Sequence, residues 1–180
     1  SGELAWEFHI PNEQLKPAFS ALWQAGQAFG IKPFGLLAAE SMRMEKGFHH
    51  WKADLTTEFN PLESGLERFV AMDKDFIGKS ALEKMIADGP RRKFVVMEIH
   101  TDEAPAHTGD SIIKGNRLIG SVTSGAWGHR IGKNLAMGYV DPAFSEIGSD
   151  FKVEILGKTI PAVVCGPCLY DPGNTHLRRA

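Results

Sequence analysis

Apolar and polar residues alternate in "LAWEFHI" (4–10), the period of a half-buried β-strand, and Pro11-Asn12 ends the run. If Trp6, Phe8 and Ile10 share the buried face, Glu7 points to the other side of that strand. From Asn12, a residue type suited to capping, Leu15, Phe19, Leu22 and Phe29 recur mostly at helical spacing, and Gly30 is a natural stop. Pro17 either lies in the first turn of this helix or delays its start. Pro33 suits the first turn of a second helix, in which Leu36, Leu37, Ser41 and Met44 face inward. Gly47 closes it, because glycine enters the left-handed conformation at little cost. Residues 52–76 lack a period and carry turn signals at Asn60-Pro61 and Ser64-Gly65, whereas "IGKSALEKMIADG" (77–89) predicts a short helix ending at Gly89-Pro90.

After Pro90 the pattern changes. "KFVVMEIH", "RLIGSVTS", "NLAMGYVD", "FKVEIL" and "TIPAVVC" are short β-like runs separated by Gly, Asn, Asp and Pro, with hairpin turns expected at "KGN" (114–116) and "LGK" (156–158). Five or more strands at this spacing suggest a small antiparallel barrel or sandwich. A boundary near residue 89 therefore divides a mixed α/β part from an all-β part.

Composition narrows the function classes. At 180 residues with 43% hydrophobic content, the chain can bury a real core. Lys plus Arg number 20 against 22 Asp plus Glu, so no basic face for nucleic acid is expected, and no apolar run is long enough to span a membrane. The opening "SGELAWEFHI" has no initiator Met and reads as starting inside a strand, so the chain is expected to be the later part of a longer protein. Cys165 and Cys168 are the only cysteines, which fits a reduced, intracellular setting rather than a disulfide-dense secreted scaffold.

Those cysteines form "CGPC", the sequence of a thioredoxin-type pair. That chemistry needs a thiolate at a helix N-terminus, and here Pro172 and Gly173 follow too soon for an active-site helix. Two semi-buried thiols beside a turn are the better expectation. A structural zinc site needs a second ligand pair at matching spacing, and none is visible; adjacent His49 and His50 point different ways on any regular element. "GHRIGKN" lacks the first glycine of a phosphate loop, with Trp127 in its place, and Asn134 replaces Ser or Thr. The glycines of "IGSVTSGAWGHRIGKN" are expected at turns and bulges.

Three long runs together resemble one family. "GELAWEF" is similar to the "GE…E" strand of the glycine-cleavage T-protein (aminomethyltransferase) superfamily. "ESMRMEKGFHHWKADLTTEFNPLESGLERFV" with "KDFIGKSAL" resembles its next block, and "IGSVTSGAWGHRIGKNLAMGYVDP" its C-terminal barrel signature. The wording is nearest to the folate-binding regions of dimethylglycine and sarcosine dehydrogenase-like proteins. The resemblance implies an α+β fold: residues 1–88 as the C-terminal part of a folate-binding α/β domain, and 89–180 as a small antiparallel β-barrel.

The implied function is tetrahydrofolate-dependent transfer of a one-carbon unit from an iminium derived from a small N-methyl amine. FAD would reside in an upstream domain, and the missing N-terminal part of the same protein would complete the site. The implied setting is the cytoplasm, or the mitochondrion in a eukaryote. Glu7 falls where the family holds the pterin: one carboxylate matches the adjacent exocyclic amine and ring N–H of that heterocycle, and its charge strengthens both bonds. Before the resemblance, a solvent-facing acid is the simpler expectation for Glu7.

Trp51 either stacks on a ligand ring or closes the interface between the two parts, and Lys52 is placed to meet the anionic glutamyl tail. No catalytic role is expected of His49 or His50, and the family's catalytic aspartate would lie upstream of this chain. Glycine-cleavage T-proteins carry an Arg where this sequence has Ala39, which favours the dehydrogenase-associated branch over a T-protein proper. Arg43 matches a later family Arg and is expected to form a structural salt bridge. Readings of another class are a non-catalytic folate- or protein-binding module, and a thiol oxidoreductase resting on "CGPC".

Overall fold

The computed structural model describes residues 1–179, with the Arg179 side chain outside the description. Its centre is a closed antiparallel barrel of β1 (Lys93–Ile99), β2 (Ser111–Lys114), β3 (Arg117–Gly128), β4 (Lys133–Val140), β5 (Asp150–Ile155) and β6 (Lys158–Cys165), in the order β1-β4-β3-β2-β5-β6. β6 returns to β1, pairing Val96 with Cys165 and Ile99 with Ala162, so no edge is left open to other chains. β2, which the hydrophobic pattern did not mark as a run of its own, leads into the expected turn at Gly115. At the β5–β6 turn, Leu156 and Gly157 both take positive φ, as the tight hairpin class requires.

Alternation builds the interior. Val95, Met97 and Ile99 of β1 meet Ile112, Ile119, Val122, Phe151 and Val153 inside the barrel. The intervening Val96, with Leu135 and Met137 of β4, points outward and packs under Met44. β4 is therefore apolar on both faces, which explains its nearly continuous run of hydrophobic residues. Gly120, Gly125 and Gly138 lie where a Cβ would come within 2.1–2.3 Å of a neighbouring backbone carbonyl oxygen, so these glycines serve close strand approach.

Ahead of the barrel run α1 (Leu15–Gly26), α2 (Leu36–Glu45) and α3 (Lys79–Asp88), with short 3₁₀ turns at both ends of α1. No helix is long and apolar enough to cross a membrane, among the described residues. Several expectations need correction. Residues 4–10 form no strand; they find no ladder partner among the described residues, and Trp6 and Phe8 are exposed rather than buried. Asn12 opens a 3₁₀ turn and provides no side-chain cap, while Pro17 does lie in the first turn of α1. Pro33 precedes α2 instead of entering it, and Leu36 and Leu37 stay 85% and 86% exposed because only the later turns of α2 lie on the barrel.

The end of α2 is the firmest part of this region. The Phe48 N–H donates to the Arg43 carbonyl and the Gly47 N–H to the Met44 carbonyl, both at 3.0 Å, a Schellman cap around Gly47 at φ 68°. A Cβ there would fall 1.6 Å from the Pro167 carbonyl oxygen, so "CGPC" is laid directly against the cap. Gly47→Ala thus meets both a left-handed backbone and a backbone collision. It is expected to cost at least about 2 kcal/mol in urea unfolding of the chain, with an unchanged midpoint excluding this account.

Candidate functional site

α2, the loop that follows it and the β3–β4 face meet at Asp54, which is fully buried. Its Oδ2 accepts from Arg43 Nη1 at 2.8 Å and from the His50 N–H at 2.6 Å; its Oδ1 accepts from the hydroxyls of Thr123 at 2.5 Å and Ser124 at 2.7 Å. Neighbouring residues of a regular strand face opposite ways. Here the register shift between Val122 and Ser124 is a bulge at Thr123, which lets both hydroxyls reach one oxygen. Arg43 also donates through Nε and Nη2 to Glu40 and through Nη1 to the Phe48 carbonyl, so the salt bridge expected of it is present and structural.

Above this cluster runs a ladder of rings. Phe59 stacks on Tyr139 at 3.5 Å, Phe94 meets Tyr139 edge-on at 5.3 Å, and His49 stacks on Phe94 at 4.1 Å. The Tyr139 hydroxyl donates to the Asp54 carbonyl at 2.8 Å and lies 2.8 Å from the Ser64 hydroxyl. Burial lowers the pKa of His49, and Arg43 adds to this, against the opposing pull of Asp54 and of the Ser64 carbonyl 3.0 Å from Nε2. A second buried acid, Glu63, accepts from the Arg91 and Arg92 N–H groups and from Asn60, sewing the loop to the start of β1.

The residues expected to bind ligand lie outside this cluster. Glu7 is exposed on the 4–10 segment and lies 3.4 Å from the His9 ring; side chains two apart share a face of an extended chain. Trp51 is 72% exposed and Lys52 takes φ 73° in a tight turn where the Lys52 N–H donates to the Leu55 carbonyl. The turn is pinned from within by Asp54, so Trp51 and Lys52 are displayed on a fixed base. No hydrogen bond or ion pair joins Glu7 to either of them among the described residues. A cleft of about 460 Å³ beside Phe59, Arg91, Ser121 and Tyr139 includes none of the three, and its Arg92 is already paired with Asp141.

"CGPC" behaves as a strap. Cys165 donates to the Val96 carbonyl and Cys168 to the Tyr170 carbonyl, and burial, aided by Glu98, pushes the Cys165 thiol up to about 11. A redox thiol needs the opposite shift. Past the strap, Lys46 Nζ, almost wholly buried, binds the Asp171 carbonyl and Asn174 Oδ1, each at 2.8 Å. The Thr175 hydroxyl, the Thr175 and His176 N–H groups and Lys46 hold the Asp171 carboxyl well below the usual carboxylate range.

Asp54, Glu63 and the Thr123–Ser124 pair escaped sequence reading. Each acid lies in an aperiodic polar stretch, and nothing local distinguishes a buried carboxylate from a solvated one.

The GCVT N-terminal domain matches residues 1–74 and the glycine cleavage T-protein C-terminal barrel domain matches residues 92–171. The chain belongs to the glycine-cleavage T-protein (aminomethyltransferase) superfamily. It is 40% identical to human mitochondrial dimethylglycine dehydrogenase over 99% of its own length and 21% of that protein. It is also 34% identical to the aminomethyltransferase of Caldanaerobacter subterraneus, covering 94% of this chain and 46% of that one. Among solved structures, the glycine cleavage system aminomethyltransferase T from Bartonella henselae superposes with a TM-score of 0.78 at 26% identity, over 90% of this chain and 45% of that one. The chain thus spans about a fifth of the dehydrogenase and just under half of each aminomethyltransferase.

Two outcomes follow from the buried cluster. Asp54→Ala leaves Arg43 without its buried partner and is expected to cost about 3–5 kcal/mol in denaturant unfolding. For His49, the folded pKa lies below the unfolded value, so the unfolded chain takes up the proton first as pH falls. Stability should therefore drop as pH falls through about 6.5, and His49→Gln should remove that part of the slope of melting temperature against pH.

Proposed function

We propose that this chain is the folate side of a larger tetrahydrofolate-dependent one-carbon transferase, of the kind joined to a flavin dehydrogenase for dimethylglycine, sarcosine or a related N-methyl amine. The observation that carries the reading is the state of Glu7. Asp54, Glu63 and Glu45 are buried and engaged with the fold, whereas the exposed Glu7 carboxylate has, among the described residues, no ion-pair partner besides the His9 ring at 3.4 Å and is flanked by exposed Trp6 and Phe8. Such a group fits the paired donors of a pterin edge. Ala39 in place of the arginine of T-proteins proper, together with the similarity to dimethylglycine dehydrogenase, supports the dehydrogenase-associated branch.

Tetrahydrofolate, when bound, would supply the two amine nitrogens, one in the reduced ring and one on the adjoining aryl group, that take up the one-carbon unit from the iminium. This chain's residues orient it: Glu7 holds the pterin edge, Trp51 offers a stacking face, and Lys52 offers an ammonium to the glutamyl tail. FAD belongs on this reading to an upstream domain, since the sequence has no dinucleotide fingerprint. The uncovered apolar faces of Trp6 and Phe8, and of Leu15, Phe19 and Leu22 on α1, support the preceding part of the same protein as the opposite wall of the site. By itself the chain would bind folate weakly, because one wall cannot enclose a ligand. The setting is the cytoplasm, or the mitochondrion in a eukaryotic source.

Glu7→Ala in the full-length protein is expected to weaken tetrahydrofolate binding by about 10- to 100-fold in titration calorimetry, the loss of a charge-assisted pair of bonds. Wild-type affinity in that variant removes Glu7 as the pterin anchor.

A further inference from the structure

The segment that carries Glu7 is held to the rest of the molecule at one end. Gly2 is buried at φ 74°, and a Cβ there would fall 2.2 Å from Lys46 Cγ, so the backbone is pressed against the end of α2. The next residue, Glu3, pairs with Arg130 on the β3–β4 hairpin. The Arg130 guanidinium lies 4.5 Å over the ring of Tyr170, and its Nε is 3.8 Å from Glu45 Oε2. Glu45 is fully buried. Its Oε1 accepts the Arg130 N–H at 2.6 Å, its Oε2 has no hydrogen-bond partner among the described residues, and its carbonyl accepts from the Leu169 and Tyr170 N–H groups at 3.0 Å. α2, the hairpin and the C-terminal strap therefore converge on one guanidinium.

Beyond Glu3, no hydrogen bond ties residues 4–10 to the barrel among the described residues, and Glu7 pairs with His9 of its own segment. Glu7 follows four residues on, a reach of at most about 14 Å along an extended backbone. A shift at the root would move the carboxylate by ångströms, enough to lose a bidentate contact.

We infer that Arg130 is a positioning residue: through Glu3 it fixes where the 4–10 segment leaves the barrel, and so where the Glu7 carboxylate stands. The inference rests on the reading of Glu7 as pterin anchor, and adds that the barrel domain takes part in folate affinity without touching folate.

Glu3→Gln in the full-length protein is the main test, because it opens the latch while leaving Arg130 beside Glu45. Tetrahydrofolate affinity by calorimetry should fall roughly five- to tenfold, and Glu3→Gln should add nothing further in a Glu7→Ala background, as coupled sites require. Arg130→Met should reproduce the loss and Arg130→Lys, which keeps a cation for Glu3, should recover part of it. Wild-type affinity in Glu3→Gln, or losses that multiply in the double variant, overturns the inference while leaving Glu7 in place. If Glu7→Ala binds folate normally, the Glu7 reading falls first and takes this inference with it.

Discussion

The structure depends on one desolvated carboxylate. Asp54 gathers the Arg43 guanidinium, a backbone N–H and the Thr123 and Ser124 hydroxyls, while its own carbonyl takes the Tyr139 hydroxyl. A buried charge is tolerated only when it is paired and its remaining lone pairs are filled. Both conditions are met here, and they draw on α2, the loop after it and two barrel strands. Removing any contributor leaves the others in a poor solvent, which gives the junction its single geometry. The bulge at Thr123 belongs to the same requirement, since without it the two hydroxyls would face opposite sides of β3.

The other carboxylates around the junction work for the fold. Glu63 ties the loop to β1, and Glu45 receives the hairpin through Oε1 and the strap through its carbonyl. Asp171 receives Thr175 and buried Lys46. Glu7 has none of this company. It is exposed, as are Trp51 and Lys52 on the turn that Asp54 pins.

The two parts differ in how far they satisfy themselves. A closed barrel pairs every strand and fills its interior, and the outward apolar residues of β4 are covered by Met44 of α2. Residues 1–37 are otherwise: α1 has no buried residue, and the apolar side chains from Leu4 to Leu37 lie largely open. The end of α2 is different, for Ser41, Arg43, Met44, Glu45 and Lys46 are buried where it meets the barrel.

Sequence by itself determined the elements whose signals are local: α1 and α3 from periodicity, the Gly47 cap from glycine's access to positive φ, and the β-runs after Pro90 from alternation and turns. The family resemblance in "GELAWEF" and "ESMRMEKGF" brought Glu7, Trp51 and Lys52 forward as candidates. Tertiary structure decided the rest. The 4–10 run has the alternation of a strand, yet a strand exists only through hydrogen bonds to a neighbour, and it makes none among the described residues. Leu36 and Leu37 carry a core pattern, but burial needs a facing surface. Asp54 reads as an ordinary loop acid, and became the keystone because residues far along the chain, Thr123, Ser124 and Tyr139, converge on it. Local pattern records what a residue prefers; only the folded chain sets which partners arrive.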